Sequence, residues 1–286
     1  MDFLLECIGF PPTTDLRDLV RRVREQGEPV AWRGPGGEHL RLPLGAGLEV
    51  RLDREDDEPH ENLWPWFEAR RRLRVAVRSL TPIADSPFDV LLTGIANPPL
   101  PQEGHLGPSV ETGRAPDVAP LVALGEDYPV SVCLGDARKL ASVAAELSVG
   151  HVLAISLAGF ALDVEYVGPN QGVRHPALLD EPCGAALAPL SPLRETEGED
   201  PGGAMEVSLR VRAVRHARNP LTGVEFDIVE ADAPGRPIDL FVSRWQLEQE
   251  GFDAPRPGWR IEGVFFFSGR VSGGLPKPSP RRGGFG

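Results

Sequence analysis

The feature that most constrains the fold of this chain is a strand pattern that occurs twice. Each copy contains an Arg-rich alternating segment, a segment with a Phe-Asp pair and a Pro-led segment: residues 73–78, 88–91 and 129–132 in the first, and residues 209–215, 226–229 and 237–240 in the second. A glycine, Gly150 or Gly258, follows the Pro of each third segment after 21 positions and opens an apolar run. A repeated strand order predicts two related modules, each closing its own small core.

The second copy is compact enough to suggest a known kind of module. Its 219–223 turn predicts a hairpin, which is followed by a strand over 237–242, a short connection through 245–248 and a strand over 259–267. This order resembles the oligonucleotide/oligosaccharide-binding (OB) fold, in which five strands close with a helix or loop after the third. The resemblance covers residues 73–168 and 207–271, and an SH3-like barrel would fit the same pattern.

The N-terminal sixty residues predict a separate α+β unit. Residues 3–8 read as a short strand, and Thr14 then serves as the N-cap of a helix whose apolar positions begin at Leu16 and recur with helical spacing up to Val23. Gly27 ends this helix. Strands over 30–32, 39–42 and 48–52 follow, which gives the order β-α-β-β-β.

The predicted fold class is therefore α+β, an N-terminal β-α-β-β-β unit followed by two tandem small antiparallel β-barrel modules that are OB-like or SH3-like. A short helix is expected to end at the basic run 70–74. The predicted boundaries are an N-terminal domain over 1–62, a first barrel unit over 63–168 with an insertion at 97–128, a Pro/Gly-rich linker over 169–203, a second barrel unit over 204–272 and a flexible basic tail over 273–286.

The charge is unevenly distributed along the chain. The net charge is −12, but residues 204–286 hold 12 basic against 10 acidic residues, or +2, whereas the remainder holds 18 against 32, or −14. The acidic bulk repels phosphate backbones and anionic membranes, so the charge disfavours nucleic acid and confines any polyanion contact to the C-terminal part. Arg greatly outnumbers Lys, which is typical of a GC-rich genome and favours a bacterial source.

Cysteine usage and hydropathy indicate the compartment. The three cysteines are far apart and form no C-x-x-C pair, which predicts neither a disulfide framework nor a zinc ribbon. The acidic N-terminus is a poor signal peptide, and no apolar run approaches the roughly 20 residues of a membrane helix. We expect a cytoplasmic protein with no membrane partner and no cofactor.

The acidic loop over 53–61 is the densest group of metal-ligand residues. Asp53, Asp57 and His60 are the candidate ligands, because carboxylates at alternate positions can surround Ca²⁺ and a histidine with carboxylates can hold a transition metal. The spacing of an EF-hand is absent, so a solvated run of charge is the simpler interpretation.

The second copy combines basic and aromatic residues in the way that single-stranded nucleic acid binding requires. The candidate residues for binding nucleic acid or a partner are Arg210, Arg212, Arg244, Trp245, Trp259, Arg260 and Phe266. Alternation along the last strand places Phe266 and its two Phe neighbours on opposite faces, so at least one face belongs to the core.

The sequence shows no local catalytic motif, and it favours a non-enzymatic binding or scaffold protein that acts through protein–protein contacts. The first alternative is single-stranded nucleic acid binding by the C-terminal barrel. The second is an enzyme with a dispersed site between domains, because residues from different strands leave no local motif.

Overall fold

The computed structural model describes residues 2–30, 37–55, 61–83, 89–96, 128–135, 140–141, 143, 146–169, 186–189, 203–233 and 236–276. These residues are mostly β. The helices are α1 (Asp2–Glu6), α2 (Leu16–Gln26) and α3 (Arg244–Glu250). The strands are β1 (Glu28–Pro29), β2 (Gly37–Gly45), β3 (Leu48–Glu55), β4 (Asn62–Phe67), β5 (Leu73–Pro82), β6 (Val90–Ala96), β7 (Tyr128–Leu134), β8 (Val152–Gly168), β9 (Ala186–Pro189), β10 (Ala204–Arg218), β11 (Glu225–Ala231), β12 (Ile238–Val242) and β13 (Arg260–Gly273).

The amphipathic helix predicted in the N-terminal unit is confirmed as α2. Leu19, Val20 and Val23 are buried on one side of it. Its N-cap is Asp15 rather than Thr14, because the Asp15 carboxylate accepts the backbone N–H of Arg17 at 2.9 Å.

The predicted strand over residues 3–8 is wrong, because residues 2–6 form helix α1. The backbone N–H of Ile8 bonds the carbonyl of Leu5 at 3.1 Å, so the segment satisfies its own polar groups locally. The Ile8 carbonyl in turn accepts the side-chain amide of Asn219 at 2.9 Å. The N-terminal order is therefore α-α-β-β-β-β.

The predicted helix ending at the basic run 70–74 is also absent. Residues 62–67 form β4, which is the fourth strand of the N-terminal sheet, and Arg74 already lies in β5. The sheet is antiparallel with the order β1-β2-β3-β4. Its apolar side includes Leu42 and Val50, which are paired across β2 and β3, and its other side carries charged and aromatic residues.

The remaining nine strands form a second sheet, and its strand pairings form two closed circuits. Hydrogen-bonded neighbours lead from β5 through β6, β7, β13 and β8 back to β5, and we call this circuit the first ring. The second ring leads from β10 through β11, β12, β8 and β13 back to β10. Each ring has one parallel pairing, β7 with β13 and β12 with β8, and its other pairings are antiparallel.

The two rings have the same register. In the first ring Cys133 lies opposite Ser268, and in the second Phe241 lies opposite Phe160, which are the same positions shifted by one repeat. The first strand of each ring has an irregularity at the same place, after Val77 in β5 and after Val211 in β10. The strand pairing of the described residues therefore repeats, in the way that the duplicated strand pattern of the sequence predicts.

The sequence predicts that each copy closes its own core, but the strand pairings connect the two copies. Strands β8 and β13 pair with each other along most of their lengths, and each also pairs with a strand of the other copy. Each long strand therefore belongs to both rings, and the described core residues of the helices and both rings form one continuous cluster.

The described helices include none that is long and apolar enough to cross a membrane.

Candidate functional site

Two buried carboxylates lie side by side on the second ring. Glu230 of β11 is paired in register with Asp239 of β12, and both are buried. Their chain neighbours Val229 and Leu240 also face one another but point into the core, since side chains alternate along a strand. The two carboxylates therefore lie on the opposite side of β11 and β12 from Val229 and Leu240, the side that also carries the buried pair Ile228 and Phe241.

Three arginines cover these carboxylates. Arg71 reaches Glu230 at 2.6 Å and Asp239 at 3.9 Å, Arg212 reaches Glu230 at 3.4 Å, and Arg215 reaches Asp239 at 2.6 Å. The side chains of Arg71, Arg212 and Arg215 are 39%, 58% and 49% exposed. The buried carboxylates thus bind the guanidinium groups on their protein side, and part of each arginine side chain remains exposed to solvent.

Arg210 is a fourth arginine of this surface. It is exposed and lies two residues before Arg212 on β10, so both side chains point to the same side of the strand. The next residue, Val211, donates its backbone N–H to the carbonyl of Trp259 at 2.7 Å. Trp259 is half-buried, and the guanidinium carbon of Arg256 lies 4.9 Å from its ring centroid. We call Arg71, Arg210, Arg212 and Arg215, with Glu230 and Asp239, the arginine face.

A second ionic group lies further along the same strands. The buried carboxylate of Asp227 contacts His216 Nδ1 at 2.7 Å and accepts from Arg244 Nη2 at 3.1 Å. Arg244 begins α3, which is capped by Ser243. His216 is five residues beyond Val211, a distance of about 17 Å along a strand.

The structure separates the seven binding residues predicted from sequence. Arg210 and Arg212 lie on one part of β10, which Trp259 contacts through its backbone carbonyl. Arg244 and the half-buried Trp245 lie on α3 at the other end. Comparisons with protein-family models, curated proteins and solved structures found no match to the chain. Function is therefore inferred from the arrangement of these side chains.

Two of the seven residues are buried, although one of them, Arg260, lies directly opposite Arg210 in the strand pairing. Arg260 donates to the Ser208 hydroxyl and to Glu262, the latter at 3.1 Å. Phe266 stacks on Trp64 of the N-terminal sheet, with ring centroids 5.5 Å apart. These two residues lie in packed regions of β13 rather than on the arginine face.

Sequence reasoning missed Arg71, Glu230 and Asp239 as members of the site. Arg71 lies in the link between the N-terminal sheet and the first ring, 139 positions before the first residue that joins it on the face, Arg210. Nothing in a linear sequence indicates that contact. The alternation of Arg210 and Arg212 with core residues is the one local signal of the face.

The predicted metal ligands are described only in part. Asp53 contacts Nδ1 of the buried His39 at 2.9 Å, whereas Asp57 and His60 lie outside the described residues. Within the residues that the structure describes, no group of three or more His, Cys, Asp or Glu side chains could hold a metal ion.

Proposed function

We propose that this protein is a non-enzymatic binding protein that holds single-stranded nucleic acid on the arginine face. The observation that carries the proposal is the row of exposed guanidinium groups on β10, which is anchored by buried carboxylates. The half-buried Trp259 contacts the same strand through its backbone carbonyl. Arginines follow a phosphate backbone, and an aromatic ring offers a stacking surface to a base.

The strand order of the second ring supports this function. If β10, β11 and β12 are numbered one to three, α3 follows the third strand, β13 is the fourth, and β8 takes the place of the fifth. This order fits an OB-like barrel, a fold that binds oligonucleotides on the face of its second and third strands, which here carry Glu230 and Asp239. We propose that both rings are OB-like barrels, and we keep a cytoplasmic location as part of the proposal.

Affinity for a single strand measured against salt concentration tests this function. The full chain is titrated into fluorescently labelled dT12 and U12 between about 20 and 200 mM NaCl, with anisotropy as the readout. Each Arg–phosphate contact contributes about 0.7 to the slope of log K against log salt for a single strand. Changing Arg210→Gln and Arg212→Gln together should lower the slope by about 1 to 1.5.

A matched control keeps the charge change and moves it to another surface. Arg17 and Arg22 are exposed on α2, so Arg17→Gln with Arg22→Gln alters the net charge equally and should leave the slope unchanged. Trp259→Ala should weaken binding about tenfold through lost stacking. No binding at 20 mM NaCl, or equal losses in both double variants, would rule the proposal out.

Contact with a protein partner through the same face is the second candidate function. Glu230 and Asp239 neutralise two of the four arginines, and Asp232, which bonds the Arg210 carbonyl through its N–H at 2.8 Å, brings another carboxylate to the same edge. A face of nearly balanced charge fits a protein surface with alternating charges. A partner that elutes with the wild-type chain and is lost from Arg212→Glu, in a protein that does not bind dT12, would favour this function.

A further inference from the structure

The charged side of the N-terminal sheet packs against the rings through a group of arginines around one tryptophan. Arg41 of β2, Glu49 and Arg51 of β3, and Trp66 of β4 lie on this side, and Arg270 of β13 reaches it from the rings. We call these five residues the Trp66 cluster. Gly135, which follows β7, lies so close that a Cβ there would be 2.8 Å from Arg51 Nη1.

Trp66 and Arg51 form the buried base of the cluster. They are 3% and 5% exposed, and the guanidinium carbon of Arg51 lies 3.6 Å from the Trp66 ring centroid. The guanidinium carbon of Arg270 lies 5.3 Å from the same centroid. A guanidinium over an indole ring is a favourable contact that orients the cation and leaves its N–H edges for other partners.

Three guanidinium groups converge on a single carboxylate oxygen. Glu49 Oε1 is 2.8 Å from Arg270 Nη2, 3.1 Å from Arg51 Nε and 3.9 Å from Arg41 Nε. Asp89 is the next carboxylate, 3.8 Å from Arg51 Nη1. Burial, followed by repulsion from Arg51, lowers the pKa of Arg41. The charges of Glu49 and Asp53 act in the opposite direction on Arg41.

Three buried N–H donors of this cluster have no hydrogen-bond partner among the residues that the structure describes. They are Arg41 Nε, Arg51 Nη2 and Trp66 Nε1. Arg41 and Arg51 are opposite one another across β2 and β3, and Arg51 stacks on Trp66. The three donors therefore belong to neighbouring side chains. Leaving a buried donor unsatisfied costs about 1–3 kcal/mol, and more for a charged group, so a set of them calls for an acceptor.

The geometry points to a binding site for a small oxyanion of the phosphate or sulfate type in the Trp66 cluster. Such an anion only accepts hydrogen bonds, which matches the unsatisfied donors, and is a preferred ligand of arginine. The entrance lies at the outer members, since the side chains of Arg41 and Arg270 are 31% and 23% exposed. Glu49 occupies one edge of the guanidinium groups, and the anion takes the N–H groups that Glu49 leaves.

Thermal unfolding of the full chain in phosphate tests the site. Sodium phosphate is raised from 0 to 20 mM while NaCl is lowered to hold ionic strength constant, and Tm is followed by scanning fluorimetry, with the affinity measured by calorimetry. A specific site gives a saturable rise in Tm, because a ligand that binds only the folded state stabilises it by mass action. Equal Tm values at all phosphate concentrations would overturn the proposal.

Arg41→Gln separates an anion site from a merely structural cluster. It removes one repelled cation at the exposed edge, so the ligand-free variant should unfold at or above the wild-type Tm, while its phosphate affinity falls at least tenfold. Arg17→Gln, an exposed change on α2, is the matched control and should bind phosphate as the wild type does. A Tm response that persists in Arg41→Gln would show an adventitious ion only and would overturn the assignment.

Discussion

Gly150 and Gly258 occupy the same position in the two copies of one turn. Each donates its backbone N–H at 2.7 Å, Gly150 to the carbonyl of Val77 and Gly258 to that of Val211. These two valines in turn donate to the residues that follow the glycines, His151 and Trp259, at 2.9 and 2.7 Å. The turn therefore ties the long strand of each copy to the point where the first strand of that copy bends.

The equivalence of the two glycines predicts equal effects of substitution. Both have positive φ, +87° and +85°, and a Cβ at either would meet nothing within 4 Å. Gly150→Ala and Gly258→Ala should each lower the free energy of unfolding by about 1 kcal/mol, from backbone strain alone. Urea denaturation measures this, and Gly273→Ala, at an ordinary φ with its Cβ 3.7 Å from Ala154, is the control. Costs that differ by more than about 1 kcal/mol would contradict the equivalence.

The sharing of β8 and β13 predicts that neither half of the chain folds alone. A fragment of residues 203–286 lacks β8, and a fragment of residues 1–202 lacks β13, so each exposes strand edges that the other half covers. Neither fragment should show a cooperative thermal transition by circular dichroism, whereas an equimolar mixture should. Cooperative unfolding of either fragment by itself would be inconsistent with the shared strands.

Removing one member of the buried pair of Arg260 and Glu262 should destabilise the protein more than replacing both residues with apolar ones. Ser208 also donates to Glu262, at 2.6 Å, and all three residues are buried. Glu262→Ala should lower the free energy of unfolding by about 3 kcal/mol, because Arg260 loses its carboxylate in a buried place. The first copy carries Val152 and Ala154 at the equivalent positions, so Arg260→Val with Glu262→Ala should recover most of the loss. A double variant as unstable as the single one would contradict this.

Two of the cysteines should be chemically silent in the folded protein. Burial raises the pKa of the Cys7 thiol to about 12 and raises that of Cys133 well above its ordinary value, so neither forms the reactive thiolate near neutral pH. In a Cys183→Ser variant, Ellman's reagent should find no rapidly reacting thiol in the native state and two in 8 M urea. Fast labelling of the native variant would show that the thiols are exposed.

The ion pair between Arg24 and Glu38 should contribute stability only above acidic pH. Hydrogen bonding to Arg24 lowers the pKa of Glu38 below its ordinary 4.5, so the stabilisation is complete above 4.5 and is lost as pH falls through the lower folded-state value. Glu38→Gln should cost about 0.5 kcal/mol at pH 7 and nothing at pH 2. The control is Glu25→Gln, an exposed change next to Arg24 on α2. A cost of Glu38→Gln that is independent of pH would contradict the argument.

The sequence allowed the individual elements to be predicted where a single periodicity dominates. Helix α2 was evident from Leu19, Val20 and Val23. Residues 3–8 were assigned wrongly because a short apolar run fits a strand and a helix equally well. The repeat was found, but its first strands were aligned two positions out of register: Leu209 is equivalent to Val75 rather than to Leu73. A slip of two preserves which side chains face the core, so hydrophobicity does not reveal it.

The sharing of the long strands and the arginine face could not be predicted from the sequence, for a different reason. β8 and β13 have similar apolar patterns. The pattern therefore does not indicate which strands of the two copies each of them pairs with. The arginine face needs Arg71, which arrives from a distant link, and its anchors Glu230 and Asp239 read as ordinary strand residues. Both features depend on which surfaces meet in three dimensions.

The shared strands also bear on how such a chain could have arisen. Each copy supplies four of the five described strands of its ring, and the fifth is the long strand of the other copy. Two separate copies could complete the same rings as a symmetric dimer in which each subunit pairs its long strand with the other. Gene fusion would preserve that arrangement without new contacts, and it would free each copy to change independently. The paired Arg260 and Glu262 in one copy, against Val152 and Ala154 in the other, are a divergence that an identical pair of subunits could not have made.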